Sequence, residues 1–422
     1  MTKITYILVA LYILISPYAK AQTDAAGVTL SQCIESALTY NPNIKAANND
    51  VVVATIGVKA ARSGLYPAVS LDASGGLSNE YQLGNNYKTG TAKLAADQLL
   101  WQNKKVSAVM EQARYLGDAS ESSLEARKQE VILSVKTTFF TCLQQQQYYL
   151  IAIDNVSKAE LFLEYARELF KTGTGRKSDV LKAESDLAEA MFDRDVYLNS
   201  LKRAQNELAM LTGISTDMLT QLKDSLQNNQ SNSFSVQPDS LFARAIRVYP
   251  ELQSINSIGL SQLSKIKETR SDFYPRFSVS AGYDWNYTPA LQEQKGWYSV
   301  LALRWNIFSG KERSYRLQSE KVRKDIYDNQ AEEIKSFLQK EVNNRLISIK
   351  EAETQIALTR SLMKTTSENL EIAKAQYKAG TGSLLELTDA RLADLSARQR
   401  NIQAITAFRI ALANLERLIG TI

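Results

Sequence analysis

The sequence predicts a mainly α-helical, internally duplicated chain in which two β-hairpins of membrane-strand length interrupt long coiled-coil helices. Three observations predict this: segments that recur at a constant displacement, long stretches without proline, and two regions of period-two alternation. Lys59-Ala-Ala-Arg62-Ser63-Gly-Leu-Tyr66-Pro67 recurs as Lys267-Glu-Thr-Arg270-Ser271-Asp-Phe-Tyr274-Pro275, displaced by 208, and Pro42 and Pro250 share that displacement. Gly173-Thr174-Gly175 recurs as Gly380-Thr381-Gly382, and Leu211-Thr212-Gly213 as Leu418-Ile419-Gly420, both displaced by 207. Self-similarity at one displacement marks a duplicated architecture. It divides the chain into an N-terminal segment 1–21, a first repeat 22–213, a polar linker 214–237 and a second repeat 238–422.

At the N-terminus, Lys3 precedes the apolar stretch Ile4 to Ile15, and Ala19-Lys20-Ala21 follows Pro17. This is the pattern of a secretory signal, with cleavage expected after Ala21. The apolar stretch is too short for a comfortable membrane span. Beyond the signal no apolar run approaches the length of a transmembrane helix, so the mature chain is expected to be periplasmic, secreted or in the outer membrane.

Residues 30–64 are expected to form one helix, ended by the Tyr-Pro junction. A hairpin over about 68–101 follows, with a weak alternation: Val69, Leu71 and Ala73, then Ala92, Leu94 and Ala96. No proline occurs from 68 to 237 or from 290 to 422, as long helices require, because an interior proline removes a hydrogen bond and clashes with the preceding turn. A long helix is expected from about Lys104 to Phe170, roughly 100 Å at 1.5 Å per residue. Its heptad seam reads Val131, Val135, Thr138, Cys142, Gln145, Tyr149, Ala152, Val156, Ala159, Leu163, Ala166, Phe170, in steps of four and three. Gly173-Thr-Gly175 stops this helix, and a return helix of half the length runs from about Ser178 to Leu211.

The second repeat carries the same order, with helices from about Lys311 to Tyr377 and Leu384 to Leu418. Adding 207 to the first seam gives Leu338, Val342, Arg345, Ile349, Ala352, Ile356, Thr359, Met363, Thr366, Leu370, Ala373, Tyr377, so the register survives duplication. The second hairpin, about 276–308, alternates strongly: Phe277, Val279, Ala281, Tyr283, Trp285 and Tyr287, then Trp297, Ser299, Leu301, Leu303, Trp305 and Ile307. Polar loops are expected at about 78–90 and 288–296. Such strands, with aromatics toward their ends, suit a membrane barrel. Four strands cannot close one, and an open edge cannot face lipid. The expected solution is a trimer sharing a 12-stranded β-barrel, with the helices forming a coiled-coil tube beneath it.

Composition excludes several classes. Histidine is absent and the cysteines are only Cys33 and Cys142, so no His- or Cys-built zinc, haem or nucleophile site is possible. Both cysteines fall inside helical patterns and are expected to be small buried residues. No metal, cofactor or catalytic residue is expected, and the carboxylates are expected on solvated helix faces. The formal net charge of +5 becomes +3 once Lys3 and Lys20 leave with the signal. Without a basic run or interleaved aromatics, nucleic acid is not a partner.

The order helix, Tyr-Pro, hairpin, long helix, Tyr/Phe-x-x-Gly turn, return helix, twice over, resembles the TolC-like outer-membrane efflux family. The two Arg-Ser-x-x-Tyr-Pro junctions, the two Gly-Thr-Gly turns and Leu30-Ser-Gln-Cys-Ile-Glu-Ser-Ala-Leu-x-x-Asn41-Pro42 carry the resemblance, which spans nearly all of the mature chain. It implies a passive exit duct in the outer membrane, a homotrimer whose helical barrel crosses the periplasm. The duct would serve a tripartite efflux or type I secretion system with a periplasmic adaptor and an inner-membrane pump of RND or ABC type. It also implies that the hairpin tips, with Gly173, Thr174 and Gly175 and with Gly380, Thr381 and Gly382, contact the adaptor and close the duct.

The acidic pair of the family's closed entrance falls on Glu386 and Asp389, with Tyr377 and Asp179 as further gate residues. Three apart, the pair shares one helical face, and copies around an axis would ring it with carboxylates. The plain alternative is that both acids merely suit the positive end of a helix. Where some members place a locking arginine this chain has Gly382, and the first tip carries Arg176 and Lys177 before Ser178 and Asp179, so a rewired closure is expected. The competing reading is a periplasmic coiled-coil adaptor or structural protein without a pore.

Overall fold

A computed structural model describes residues 27–79, 86–220, 222–223, 237–288 and 292–421. The signal segment 1–21, the middles of both hairpin loops and most of the linker lie outside the described residues. The first repeat runs α1 (Leu30–Tyr40), α2 (Pro42–Ser63), β1 (Ala68–Asn79), β2 (Asn86–Trp101), α3 (Lys105–Lys171) and α4 (Lys177–Thr212). A 3-10 turn at Met218–Thr220 precedes α5 (Pro238–Val248), α6 (Pro250–Ser271), β3 (Arg276–Thr288), β4 (Gln292–Arg304), α7 (Glu312–Lys378) and α8 (Leu384–Leu418). The copies match in length: α3 and α7 have 67 residues each, α2 and α6 have 22, α1 and α5 have 11. Each 67-residue helix is roughly 100 Å long.

The helix expected over 30–64 is in fact two. Proline clashes with a helical residue before it, and Asn41 accordingly turns out of the helix with ψ 123°. Its side chain then accepts from the Asn43 backbone N–H at 2.9 Å and starts α2. Tyr249 before Pro250 also turns out of the helix, with ψ 114°, but gives no side-chain cap. The break makes α1 and α5 separate helices. Cys33 and Ala37 of α1 are buried with Val135, Phe139, Cys142 and Leu208, and Leu241 and Ala245 of α5 with Leu338, Val342 and Leu415. Burial pushes the Cys142 thiol up to about 12.

Both seams face the interior. Of the first, Val131, Val135, Cys142, Ala152, Val156, Ala159, Leu163 and Ala166 are buried, and only Phe170 at its end is exposed. All residues of the second seam are buried or half-buried. The α2 and α4 helices pack along α3, α6 and α8 cover another side of α3, and α7 packs against α6 and α8. The core is therefore a set of clusters strung along the long axis. Ile347, Leu358 and Ile372 on α7, and Leu181 and Phe192 on α4, remain exposed on this single chain.

The strands form one antiparallel sheet in the order β1-β2-β3-β4, leaving β1 and β4 as open edges. Pairing of Leu94 with Tyr283, and of Tyr283 with Trp297, puts the large apolar side chains on one face. The row Asp72, Lys93, Asp284, Gly296 lies on the other. The alternation expected through Ile307 stops at Arg304, where the chain leaves the sheet and the Trp305 indole N–H donates to the Phe273 carbonyl at 3.2 Å. Each long helix starts on a left-handed lysine, Lys104 at φ 59° and Lys311 at φ 67°. The Asp272 carboxylate takes the Lys105 ammonium at 2.8 Å, and its carbonyl accepts from Arg313 at 2.9 Å, tying the two copies at the strand-to-helix turn.

Candidate functional site at the hairpin tips

The tips lie at the end of the long helices remote from the sheet, and both are built alike. In the first, Gly173 takes φ 77°, and the Thr174 and Gly175 backbone N–H groups donate to the Leu169 carbonyl at 3.0 and 2.8 Å. In the second, Gly380 takes φ 74°, and Thr381 and Gly382 donate to the Gln376 carbonyl at 3.0 and 3.1 Å. This satisfies the helix-end carbonyls in the manner of a left-handed C-cap. The second glycine of each turn is needed for space. A Cβ on Gly175 would stand 2.8 Å from the Phe170 nitrogen, and one on Gly382 would stand 3.0 Å from the Gln376 Cβ. A side chain at Gly382 would be tight against Gln376 and Tyr377, which would have to give by a few tenths of an ångström.

The return helices start differently. Ser383 caps α8: its hydroxyl accepts from the Glu386 N–H at 3.3 Å, and the Glu386 carboxylate accepts from the Ser383 N–H at 2.9 Å. That reciprocal capping box holds the Glu386 carboxyl below its ordinary range, the Ser383 backbone N–H being the main cause. In the first copy the equivalent positions are Arg176 and Asp179, and Arg176 provides no side-chain cap. Glu386 and Asp389 are both exposed, and Glu386 spends its carboxylate on its own helix end. Tyr377 is 3% exposed, packed with Phe162, Leu163, Leu370, Leu384 and Leu387. Burial raises its hydroxyl pKa, and the nearby Asp179 charge adds to that. The counterpart of Tyr377 in the first copy, Phe170, is 47% exposed. Arg176 and Lys177 are exposed beside it. Tyr377 thus lies within reach of the Asp179 charge, while Glu386 and Asp389 are exposed on α8.

Behind the tips lies a polar cluster that the sequence reading missed. Asp186 and Asp394, expected on solvated faces like the other carboxylates, are 7% and 2% exposed. Arg391 is 4% exposed and donates to the Asn155 side-chain oxygen at 2.8 Å. Burial lowers its pKa, opposed by the charges of Asp186 and Glu189. Asp186 accepts from Thr388 at 3.1 Å and pairs with Lys182 at 2.6 Å. Asp394 takes Arg398 at 2.9 Å and Lys158 at 3.5 Å, and both cations also hold Asp154, at 3.2 and 2.9 Å. Every one of these groups except Lys182 and Glu189 bonds across from one copy to the other. A usable signal existed, since Asp186 falls in step with the buried Ala183 and Ala190, and Asp394 with Leu387 and Ala397.

With this geometry in view, comparison with known proteins decides the family. The profile of the family described as "Outer membrane efflux protein" matches residues 33–214 and 260–421. The chain belongs to that family. The probable efflux pump outer membrane protein TtgC of Pseudomonas putida is 22% identical over 406 residues, covering 93% of this chain and 82% of the relative. The outer membrane protein TolC of Escherichia coli is 21% identical over 414 residues, with shares of 93% and 82%. The solved outer-membrane channel OprN superposes with a TM-score of 0.80 at 18% identity, covering 93% of this chain and 89% of that one. The pore-free adaptor reading is therefore set aside. This chain is an outer-membrane channel component of an efflux system, with its long helices forming the periplasmic tunnel.

Proposed function

We propose that three copies of the mature chain, freed of residues 1–21, share one barrel in the outer membrane and one helical tunnel in the periplasm. The supporting observation is the four-stranded sheet with open edges at β1 and β4 and one apolar, aromatic face. An open edge in lipid leaves backbone groups unsatisfied. Because the strands alternate in direction, β4 of one copy meets β1 of the next antiparallel, and the ring closes head to tail. Two copies would give an eight-stranded barrel, whose interior is filled by its own side chains. Three give twelve strands and room for a duct. The exposed apolar residues of α4 and α7 then become contacts between copies.

In this reading the tips at Gly173-Thr174-Gly175 and Gly380-Thr381-Gly382 receive a periplasmic adaptor, and an inner-membrane pump of RND or ABC type delivers the cargo. Tyr377 and Asp179 hold the two hairpins of one chain together at the entrance. Glu386 and Asp389, three residues apart on one exposed face, ring that entrance with carboxylates. The test is the Glu386→Ala/Asp389→Ala variant in planar bilayers. Loss of cation preference and altered single-channel conductance are expected. Traces identical to those of the parent channel would remove these residues from the gate, and a monomer in mild detergent would remove the shared barrel.

A further inference from the structure

The junction that recurs before each strand pair, Lys59 to Pro67 and Lys267 to Pro275, has a use beyond ending a helix. In the second copy Lys267, Arg270 and Tyr274 of α6, with Lys104, Ser107 and Glu111 of α3, line a recess of about 610 Å³. Lys104, Lys267 and Arg270 are exposed. The Lys267 ammonium holds the Glu111 carboxylate at 2.7 Å, and no ion pair among the described residues engages Lys104 or Arg270. The recess thus carries three cations against one acid. Its direction follows from α3. Lys105 and Val109 border a different recess with Asp97, Arg276 and Ser278, which share the polar face of the sheet. At about 100° per residue, Lys104, Ser107 and Glu111 point roughly 150° away from that pair around the helix. The basic recess therefore opens on the side of the apolar sheet face. Three residues before Lys104, at the end of β2, exposed Trp101 meets Phe277 edge to face at 5.8 Å. Exposed tryptophan and tyrosine rings such as Trp101 and Tyr274 mark the headgroup level of a membrane.

We propose that this recess binds the headgroup phosphate of an anionic glycerophospholipid in the periplasmic leaflet of the outer membrane. This rests on the shared-barrel reading above, which turns the apolar face of the sheet to lipid. Arg270 offers a planar fork to a phosphate, and the two ammonium groups offer point charges. The place of the recess, at the foot of the apolar face beside exposed rings, selects a lipid over a phosphate from solution. The duplication supplies a second argument. Displacement by 207 or 208 carries Lys104 to Lys311, Ser107 to Ser314, Lys267 to Lys59, Arg270 to Arg62 and Tyr274 to Tyr66. All five keep their residue type, and the one acid, Glu111, becomes Gln318. The second set is split between α2 and α7, and α2 packs along α3 but not along α7 of its own chain. In the repeat α6 packs along α3, so the corresponding partner of α2 is α7 of the next copy. Ring closure then gives one recess within each chain and one at each junction, six in all.

Native mass spectrometry of the full mature protein, titrated in detergent with dioleoylphosphatidylglycerol, tests the site. Trimers are expected to retain up to six molecules. Phosphatidylcholine, which has the same phosphate but no net charge, should be retained far more weakly. Lys104→Gln/Arg270→Gln removes two unpaired, exposed cations from each recess within a chain. At about fivefold per cation, three of the six sites should then need roughly twenty-five times more lipid. Arg62→Gln/Lys311→Gln should do the same to the other three. Inorganic phosphate at matched ionic strength should displace nothing. Displacement would make this a site for free phosphate and overturn the lipid assignment. Equal retention of the two lipids, or a titration unchanged in both variants, would overturn it as well while leaving the trimer in place. A wild-type chain that stays monomeric would overturn the shared barrel, and the lipid sites with it.

Discussion

Asp186→Ala should loosen the hairpins more than Arg391→Met, although it removes the smaller side chain. Arg391 is 4% exposed, and its one hydrogen bond among the described residues runs to the neutral Asn155 at 2.8 Å. The negative charge that offsets its burial comes first from Asp186. Without Asp186 the buried guanidinium loses that compensation and keeps only the weaker charge of Glu189. Because no ion pair among the described residues joins Arg391 to Asp186, the loss sits at the low end of the about 3–5 kcal/mol of a broken buried pair. Arg391→Met instead leaves Asp186 with Lys182 at 2.6 Å and Thr388 at 3.1 Å, and strands only the Asn155 amide. An unsatisfied neutral group of that kind costs about 1–3 kcal/mol. The double variant removes both charges and should recover part of the Asp186→Ala loss. Hydrogen exchange of the assembled protein in detergent reads this locally. A loss of about 3 kcal/mol opens the α4 and α8 amides around 183–190 and 388–397 roughly a hundredfold more often. Equal protection in the two single variants, or a double variant worse than Asp186→Ala alone, would refute the charge argument.

The tips and the cysteines give further expectations. Gly175→Ala should fray the end of α3, because its Cβ would meet the Leu169 and Phe170 backbone at 2.8–2.9 Å. Gly173→Ala meets open space and carries only the left-handed penalty of about 1–2 kcal/mol. Limited proteolysis at the first tip should therefore cut Gly175→Ala faster than Gly173→Ala, and the reverse order would contradict the packing. Cys142 is fully buried and its thiol is pushed up to about 12. A maleimide at pH 8 should leave native Cys142 unmodified and label it only after denaturation. Labelling of the folded protein at the rate of a free thiol would show that α1 does not cover it.

What the sequence displayed was whatever the duplication repeats. Proline junctions, glycine turns and seam register are one-dimensional features, and the equal α3 and α7 follow from them. The weak alternation of the first hairpin also sufficed, since Leu94 and Lys93 alternate faces whatever their neighbours. The break at Asn41 was present in Pro42 but hidden by helical periodicity on both sides of it. The buried Asp186–Arg391 cluster was the least visible part. An acid at a seam position looks solvated until its partner is known, and here that partner, Thr388, stands 202 residues away on the other copy. The capping role of Glu386 was within reach, because Ser383 stands three residues before it.

Pairing of β2 with β3 has a consequence for the order of assembly. It joins Leu94 to Tyr283, so the central seam of the sheet cannot form until both halves of the chain have been synthesised and exported. Before that, β1 and β2 make an isolated hairpin, which is marginal in water and still more exposed at a bilayer. The helices of the first half can meanwhile pack locally, since α3 and α4 are consecutive in sequence. In the shared-barrel reading proposed above, insertion into the membrane is thus a late event, dependent on a complete polypeptide and on neighbours to seal its edges. Truncation after the first copy should leave a folded helical hairpin in the periplasm that never reaches the lipid.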